Sequence, residues 1–235
     1  MQTSKIMDKD SIKNTFIPPW AEINTVLLDM DGTLLDLHFD THFWLEHVPI
    51  RYAEAHSLPL EQAREQLMTR YRQAEGKLEW YCVDYWSEQL KMDIEVLKEE
   101  VDHLISVRPD VISFLQALAS AGKHRVLVTN AHGKSLALKM KKTPIGGHLD
   151  EIITAHDIGL PKEHPDFWEK LQQRQSFSPE NTLLIDDSIN VLNSAEKYGI
   201  KHLRAILQPN SRIDPDPHDG FIHIDRFADI LPSAD

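Results

Sequence analysis

Val26-Leu27-Leu28 runs without a break into Asp29-Met30-Asp31-Gly32-Thr33. An apolar run closed by two carboxylates two positions apart suits a buried strand that ends at a polar site. On extended backbone, residues i and i+2 point to the same side. Asp29 and Asp31 therefore face one small volume past the strand's carboxyl end, where open α/β sheets place their ligands. Two unpaired carboxylates so close repel, and the volume needs a cation or a shared proton.

The same kind of apolar run recurs at Arg125–Val128, Glu151–Thr154, Thr182–Ile185 and Leu203–Leu207, with Thr25–Leu28 as the first. Helical patterns lie between them at Val111–Ala121, Lys134–Lys141, Pro165–Gln175 and Ile189–Tyr198. Continuous apolar strands alternating with helices predict an α/β fold, a doubly wound parallel, Rossmann-like sheet covered on both faces. Residues 37–107 break that rhythm. Their apolar and aromatic residues recur at helical spacing through Phe43, Trp44, Tyr52, Leu67, Tyr71 and Trp86, punctuated by Pro59 and Gly76. They read as an inserted helical bundle, leaving 20–36 and 108–235 as the α/β core and 1–19 as a loose polar arm. After Gln208 the chain turns rich in Pro and Asp, recovers at Phe221-Ile222-His223-Ile224, and ends near a short helix at Arg226–Leu231.

At 235 residues the chain is long enough for such a domain with a sizeable insertion. Its net charge of −12 argues against DNA or RNA as the main partner. A small phosphorylated substrate stays compatible, because a local metal and lysine override the global field. Cys82 is the sole cysteine, so no intrachain disulfide forms and a reducing compartment fits. Met1–Trp20 do not read as a signal peptide, and no window reaches membrane-spanning length. The expectation is a soluble cytoplasmic protein, with its oligomeric state left open.

Three further elements carry chemistry. Val126-Leu127-Val128-Thr129-Asn130 ends in a hydroxyl and an amide that can bind a phosphoryl oxygen. Leu160-Pro161-Lys162 places a lysine before a helix opening at Pro165, and Leu183-Leu184-Ile185-Asp186-Asp187-Ser188 adds two carboxylates. Singly, an Asp-Gly pair is often only a turn and Asp-Asp-Ser only a helix start. Four such elements in order, each read at a strand end, are hard to obtain by accident.

D-x-D-G-T after an apolar strand opens the haloacid dehalogenase superfamily of phosphotransferases, and from about Thr25 onward the chain resembles that superfamily's phosphatases. The resemblance implies that Asp29 is the nucleophile taking the phosphoryl group as an aspartyl phosphate. Asp31 would protonate the leaving oxygen and then deprotonate the attacking water. Thr129, with the Asn130 backbone, would hold the phosphoryl group, and Lys162 would orient Asp29 and offset charge. Mg2+ would be held by Asp29, the Asp31 carbonyl and Asp187, with Asp186 acting mainly through water. Hard oxygen ligands suit Mg2+ over zinc. Dehalogenases lack an acid at the Asp31 position, so dehalogenation is not expected. Glu163 and His164 follow Lys162 where the family often has proline.

The helical insertion resembles a cap that closes over the site and contacts the non-phosphate part of the substrate. Asp29 to Leu37, the Trp80-Tyr81-Cys82-Val83-Asp84-Tyr85-Trp86-Ser87-Glu88-Gln89-Leu90 run, Thr129-Asn130-Ala131-His132 and Pro161-Lys162-Glu163 are together similar to bacterial GMP/IMP nucleotidases. This implies a purine nucleoside 5′-monophosphate as substrate. The aromatic rings either stack on a base or form the cap's own core. Two other readings stay open: a sugar-phosphate phosphatase or phosphomutase on the same scaffold, and a non-catalytic nucleotide-binding module. Among lesser features, His38 and His42 have zinc-compatible spacing without a third ligand, and His132 can approach the phosphate or leaving group. Cys82 reads as a small hydrophobe and Asp36 as a helix cap.

Overall fold

The computed structural model describes residues 16–215, 217 and 220–232; most of the arm read at 1–19 lies outside them. The sheet has six strands, β1 (Thr25–Leu28), β2 (His124–Thr129), β3 (Glu151–Thr154), β4 (Thr182–Asp186), β5 (His202–Ile206) and β6 (Ile222–Ile224). Their order is β3-β2-β1-β4-β5-β6, and every pairing is parallel. The winding reverses between β1 and β4, which opens a crevice at the carboxyl ends of the central strands. Leu28 stands opposite Leu127 on one side and Ile185 on the other. Asp29 donates its N–H to Ile185 O at 3.0 Å, so β1, β2 and β4 finish level with one another.

Alternation along each strand divides the core. Val26, Leu28, Leu127, Leu183 and Ile185 pack on one face with α6 (Val111–Ser120), through Phe114, Leu115 and Leu118. Leu27, Val126, Val128 and Leu184 pack on the other with α9 (Phe167–Arg174) and α10 (Ile189–Tyr198). Apolar residues on both faces explain why these strands read as unbroken hydrophobic runs.

Between β1 and α6 the chain forms α1 (His38–His42), a π-turn at Phe43–His47, α2 (Val48–His56), α3 (Leu60–Ala74), α4 (Val83–Leu90) and α5 (Ile94–Glu100). These helices enclose their own apolar core, in which Phe39, Phe43, Leu67, Tyr71, Trp86 and Leu90 are buried. The two linkers to the sheet run side by side. Leu35 bridges Val107 in antiparallel fashion, Asp36 N donates to Ser106 O at 3.0 Å, and Arg108 N donates to Leu34 O at 3.0 Å.

The apolar stretch at Phe221–Ile224 supplies the sixth strand, Ile222–Ile224. Two local expectations are corrected. Lys162 does not follow a strand directly: a four-residue helix α8 (Ala155–Ile158), started by a Thr154–Asp157 capping box, intervenes after β3. The following helix α9 opens at Phe167 behind Asp166, so Pro165 lies ahead of it rather than at its first turn. The remaining helix, α7 (Gly133–Lys142), lies between β2 and β3.

Candidate active site

The level strand ends bring Asp29, Thr129 and Asp186 together, and the loop carrying Lys162 folds back between them. The Lys162 ammonium donates to Asp29 Oδ1 and, at 2.6 Å, to Asp186 Oδ2. Only 2 % of Lys162 is exposed. Burial disfavours its ammonium, but Asp186 and Asp29 outweigh that and raise its pKa above the ordinary lysine value. Asp186 Oδ1 also accepts from Ser188 N at 2.9 Å. Lys162 and Ser188 thus hold Asp186 from two sides.

Oxygens of Asp29, Asp186 and Asp187 lie within 4.8 Å of one another. Gly32 makes room for this cluster. Its φ is +85°, and a Cβ there would lie 2.3 Å from Asp187 Oδ2. The cluster holds three carboxylates around one lysine. Burial first, then Asp29 and Asp186, push Asp187 well above the usual carboxylate range. Burial, then Asp186, raises Asp29 to about 6 against the pull of Lys162. This surplus of negative charge, all on hard oxygens, fits Mg2+.

A stability prediction follows. A carboxyl whose folded pKa exceeds its unfolded value of about 3.9 contributes stability that is fully present below that value. The contribution is lost as pH rises through the folded pKa, here about 6 for Asp29. In EDTA this contribution should therefore fade between about pH 4 and pH 7, and the rise in thermal midpoint on adding Mg2+ should grow over the same interval. A Mg2+ increment that does not change with pH would rule out these carboxylates as its ligands.

Thr129 is buried, and its Oγ1 accepts from Ala131 N at 3.0 Å. Asn130 is oriented at both ends. Its Oδ1 accepts from Lys162 N at 2.9 Å, and its Nδ2 donates to Glu163 Oε2 at 3.0 Å. The other Glu163 oxygen accepts from Tyr81 OH at 3.0 Å. Glu163, noticed in the sequence only as a departure from the family pattern, thus joins the site to the helical layer.

Asp31 brings in residues that the sequence did not flag. Lys139 on α7 donates to Asp31 Oδ1 and to Asp40 Oδ2, each at 2.6 Å. Lys98 on α5 donates to Asp40 Oδ1 at 2.9 Å and lies over the Phe43 ring, 4.3 Å from its centroid. Burial, then Asp40 and Asp29, raise Asp31 to about 6, with Lys139 opposing. Asp40 would also be raised by burial, but Lys139 and Lys98 hold it below the ordinary range. Lys139 sits in the run Leu138-Lys139-Met140-Lys141-Lys142, which reads as a solvated basic face.

Above the carboxylates lies a cavity of about 400 Å3 bordered by Trp44, Tyr71, Trp80, Trp86 and His132. The aromatic rings serve as both core and wall. Trp86 is buried and meets Tyr71 edge-on at 5.1 Å, while Trp44 and Trp80 are half-buried. Asp36 accepts from His38 N at 2.9 Å, but the cap position of α1 is Leu37, with no side-chain cap bond, so Asp36 shapes the turn ahead of the helix rather than capping it. The His38 and His42 rings lie tilted to one another with centroids 6.0 Å apart, and among the described residues no third ligand joins them. No helix among the described residues is long and apolar enough to cross a membrane.

Comparison with known proteins agrees with this arrangement. The model of the haloacid dehalogenase-like hydrolases matches residues 23–199. The chain is 38% identical over 214 residues to the GMP/IMP nucleotidase YrfG of Escherichia coli, covering 91% of this chain and 96% of that one. Among solved structures, a HAD phosphatase from Thermococcus onnurineus superposes with a TM-score of 0.71 at 22% identity, covering 86% of this chain and 92% of the other. A putative beta-phosphoglucomutase from Thermotoga maritima gives 0.63 at 18% identity, covering 89% and 97%.

Proposed function

Because the chain belongs to the haloacid dehalogenase-like hydrolases and is a phosphatase, we propose that it removes the 5′-phosphate from purine nucleoside monophosphates, GMP and IMP. The observation that carries the chemistry is the buried Asp29 carboxylate, paired with Lys162 and set beside Asp187. The 38% identity to a GMP/IMP nucleotidase across nearly the whole chain supports the substrate class.

In this reading the Asp29 oxygen attacks phosphorus and the nucleoside oxygen leaves with a proton from Asp31. Asp31 then takes a proton from the water that cleaves the aspartyl phosphate. Lys139 holds Asp31 in place for both transfers. Thr129 and the Asn130 amide bind the phosphoryl oxygens, and Lys162 offsets their charge. Phosphoryl transfer asks a protein mainly for such positioning and charge stabilisation. Asp29, Asp187 and the Asp31 carbonyl would hold Mg2+, with Asp186 supporting from the Lys162 side. The ion supplies Lewis-acid neutralisation of the charge shared by phosphate and Asp29. Residues 37–107 act as the cap, excluding water and offering the aromatic wall to the base. A cytoplasmic location accords with the single cysteine.

The test is inorganic phosphate release from a panel of nucleotides and sugar phosphates, with Mg2+ and with EDTA. The expected result is metal-dependent release, strongest with GMP and IMP. Release confined to sugar phosphates would keep the mechanism and discard the nucleotidase. Isomerised product without free phosphate would identify a mutase, and tight nucleotide binding without turnover a binding module.

A further inference from the structure

Cys82, His132 and His156 take no part in the chemistry above. Each offers one donor atom, and all three atoms lie within 4.8 Å of one another. They come from separate segments: Cys82 caps α4 in the helical layer, His132 caps α7 beyond β2, and His156 sits in α8 beyond β3. The two imidazoles meet edge to face, with centroids 4.9 Å apart.

The donors are poorly occupied by the protein itself. Both ring nitrogens of His156 are buried without a hydrogen-bond partner. A neutral imidazole carries one N–H and one lone pair, and burying either unpaired is costly. An ion on the lone pair removes that deficit at one nitrogen. His132 Nδ1 has only a long 3.4 Å contact from Lys134 N, and its Nε2 faces Asp84 Oδ2 at 3.7 Å. Cys82 Sγ accepts from Tyr85 N at 3.4 Å.

We propose that Cys82, His132 and His156 form a Zn2+ site tying the helical layer to the sheet domain. One sulfur and two imidazoles make a borderline-soft donor set that suits Zn2+. The all-oxygen cluster of Asp29, Asp186 and Asp187 suits Mg2+ instead, so donor chemistry sorts the two ions. Bonds of about 2.3 Å to sulfur and 2.0–2.1 Å to nitrogen require the donor triangle, now within 4.8 Å, to draw in around the ion. Because one ligand lies in the layer and two beyond sheet strands, a bound ion fastens the layer over the cavity that His132 borders.

The test uses the full-length protein stripped of metal, with saturating Mg2+ present to fill the oxygen site, and titrated with Co2+ as a spectroscopic probe. One equivalent should bind with a thiolate-to-cobalt charge-transfer band and be displaced by one equivalent of Zn2+. Cys82→Ser should abolish the band. His156→Gln should weaken Co2+ binding by more than the roughly 10–100-fold that losing a mere supporting partner of a ligand costs. Circular dichroism in EDTA checks that each variant folds. If a variant does not fold, alkylation of Cys82 in the wild-type protein decides, since bound Zn2+ must slow it. Absence of the band in the wild type, its survival in Cys82→Ser, or alkylation unchanged by Zn2+ would each overturn the site. None of these readouts depends on phosphate release.

Discussion

Asp29→Asn should reduce Mg2+-dependent phosphate release by roughly 10^4-fold or more, the scale at which removing a nucleophile acts. An amide is a far weaker nucleophile than a carboxylate and cannot form the acyl phosphate. The same substitution removes one negative charge from a cluster whose members already raise one another's pKa. In EDTA near neutral pH the variant should therefore melt no lower than the parent, because like charges packed together destabilise the folded state. Steady-state release and thermal melts of the two proteins check both halves. Turnover within tenfold of the parent would sink the covalent mechanism, and a collapsed melting point would show that Asp29 is needed to hold the site together.

Lys162→Met should be costlier for stability. Its ammonium is the shared donor between Asp29 and Asp186, both buried. Removing one partner from a buried ion pair costs about 3–5 kcal/mol because the charge left behind is uncompensated. Urea unfolding in EDTA should show a loss of that order, partly restored by Mg2+. The rate with Mg2+ should still fall roughly 10^2–10^3-fold, the range found when one fixed donor to a developing anion is lost. A variant as stable as the parent would mean that protonation of Asp29, already raised to about 6, takes up the lost charge. The backbone contribution of this residue survives the change, since Lys162 N continues to donate to Asn130 Oδ1.

What the sequence disclosed depended on how far each signal reaches along the chain. Asp29 and Asp31 share a side because of strand periodicity alone, and Asp186-Asp187 terminate a run of the same kind; such signals lie within a few residues of one another. The doubly wound sheet was legible for the same reason, since strands buried on both faces leave unbroken apolar runs. Lys162 was legible as a residue but not in its placement, because α8 is too short to impose a helical period. The ion pairs among Asp31, Lys139, Asp40 and Lys98 left no trace. Lys139, Asp40 and Lys98 each sit in a stretch of ordinary surface composition, and only the approach of α1, α5 and α7 in space brings them together beside Asp31. Glu163 shows the intermediate case: the sequence marked it as unusual, and the fold supplied its partners Asn130 and Tyr81.

The hydrogen-bonded linkers at Leu34–Asp36 and Ser106–Arg108 bear on how such a chain can change over time. A long excursion adds little loop-closure entropy, about 0.6 kcal/mol for each doubling of length. Here its two ends already meet, so the sheet experiences the whole excursion as a short clasp. Residues inside it can be replaced, lengthened or rearranged without shifting the register of β1 against β2 and β4. Asp29, Asp186 and Asp187 stay in place while the cavity wall varies, provided that Asp40 keeps its hold on Lys139 beside Asp31. Selection can thus revise what the protein accepts while its bond-breaking apparatus is inherited intact.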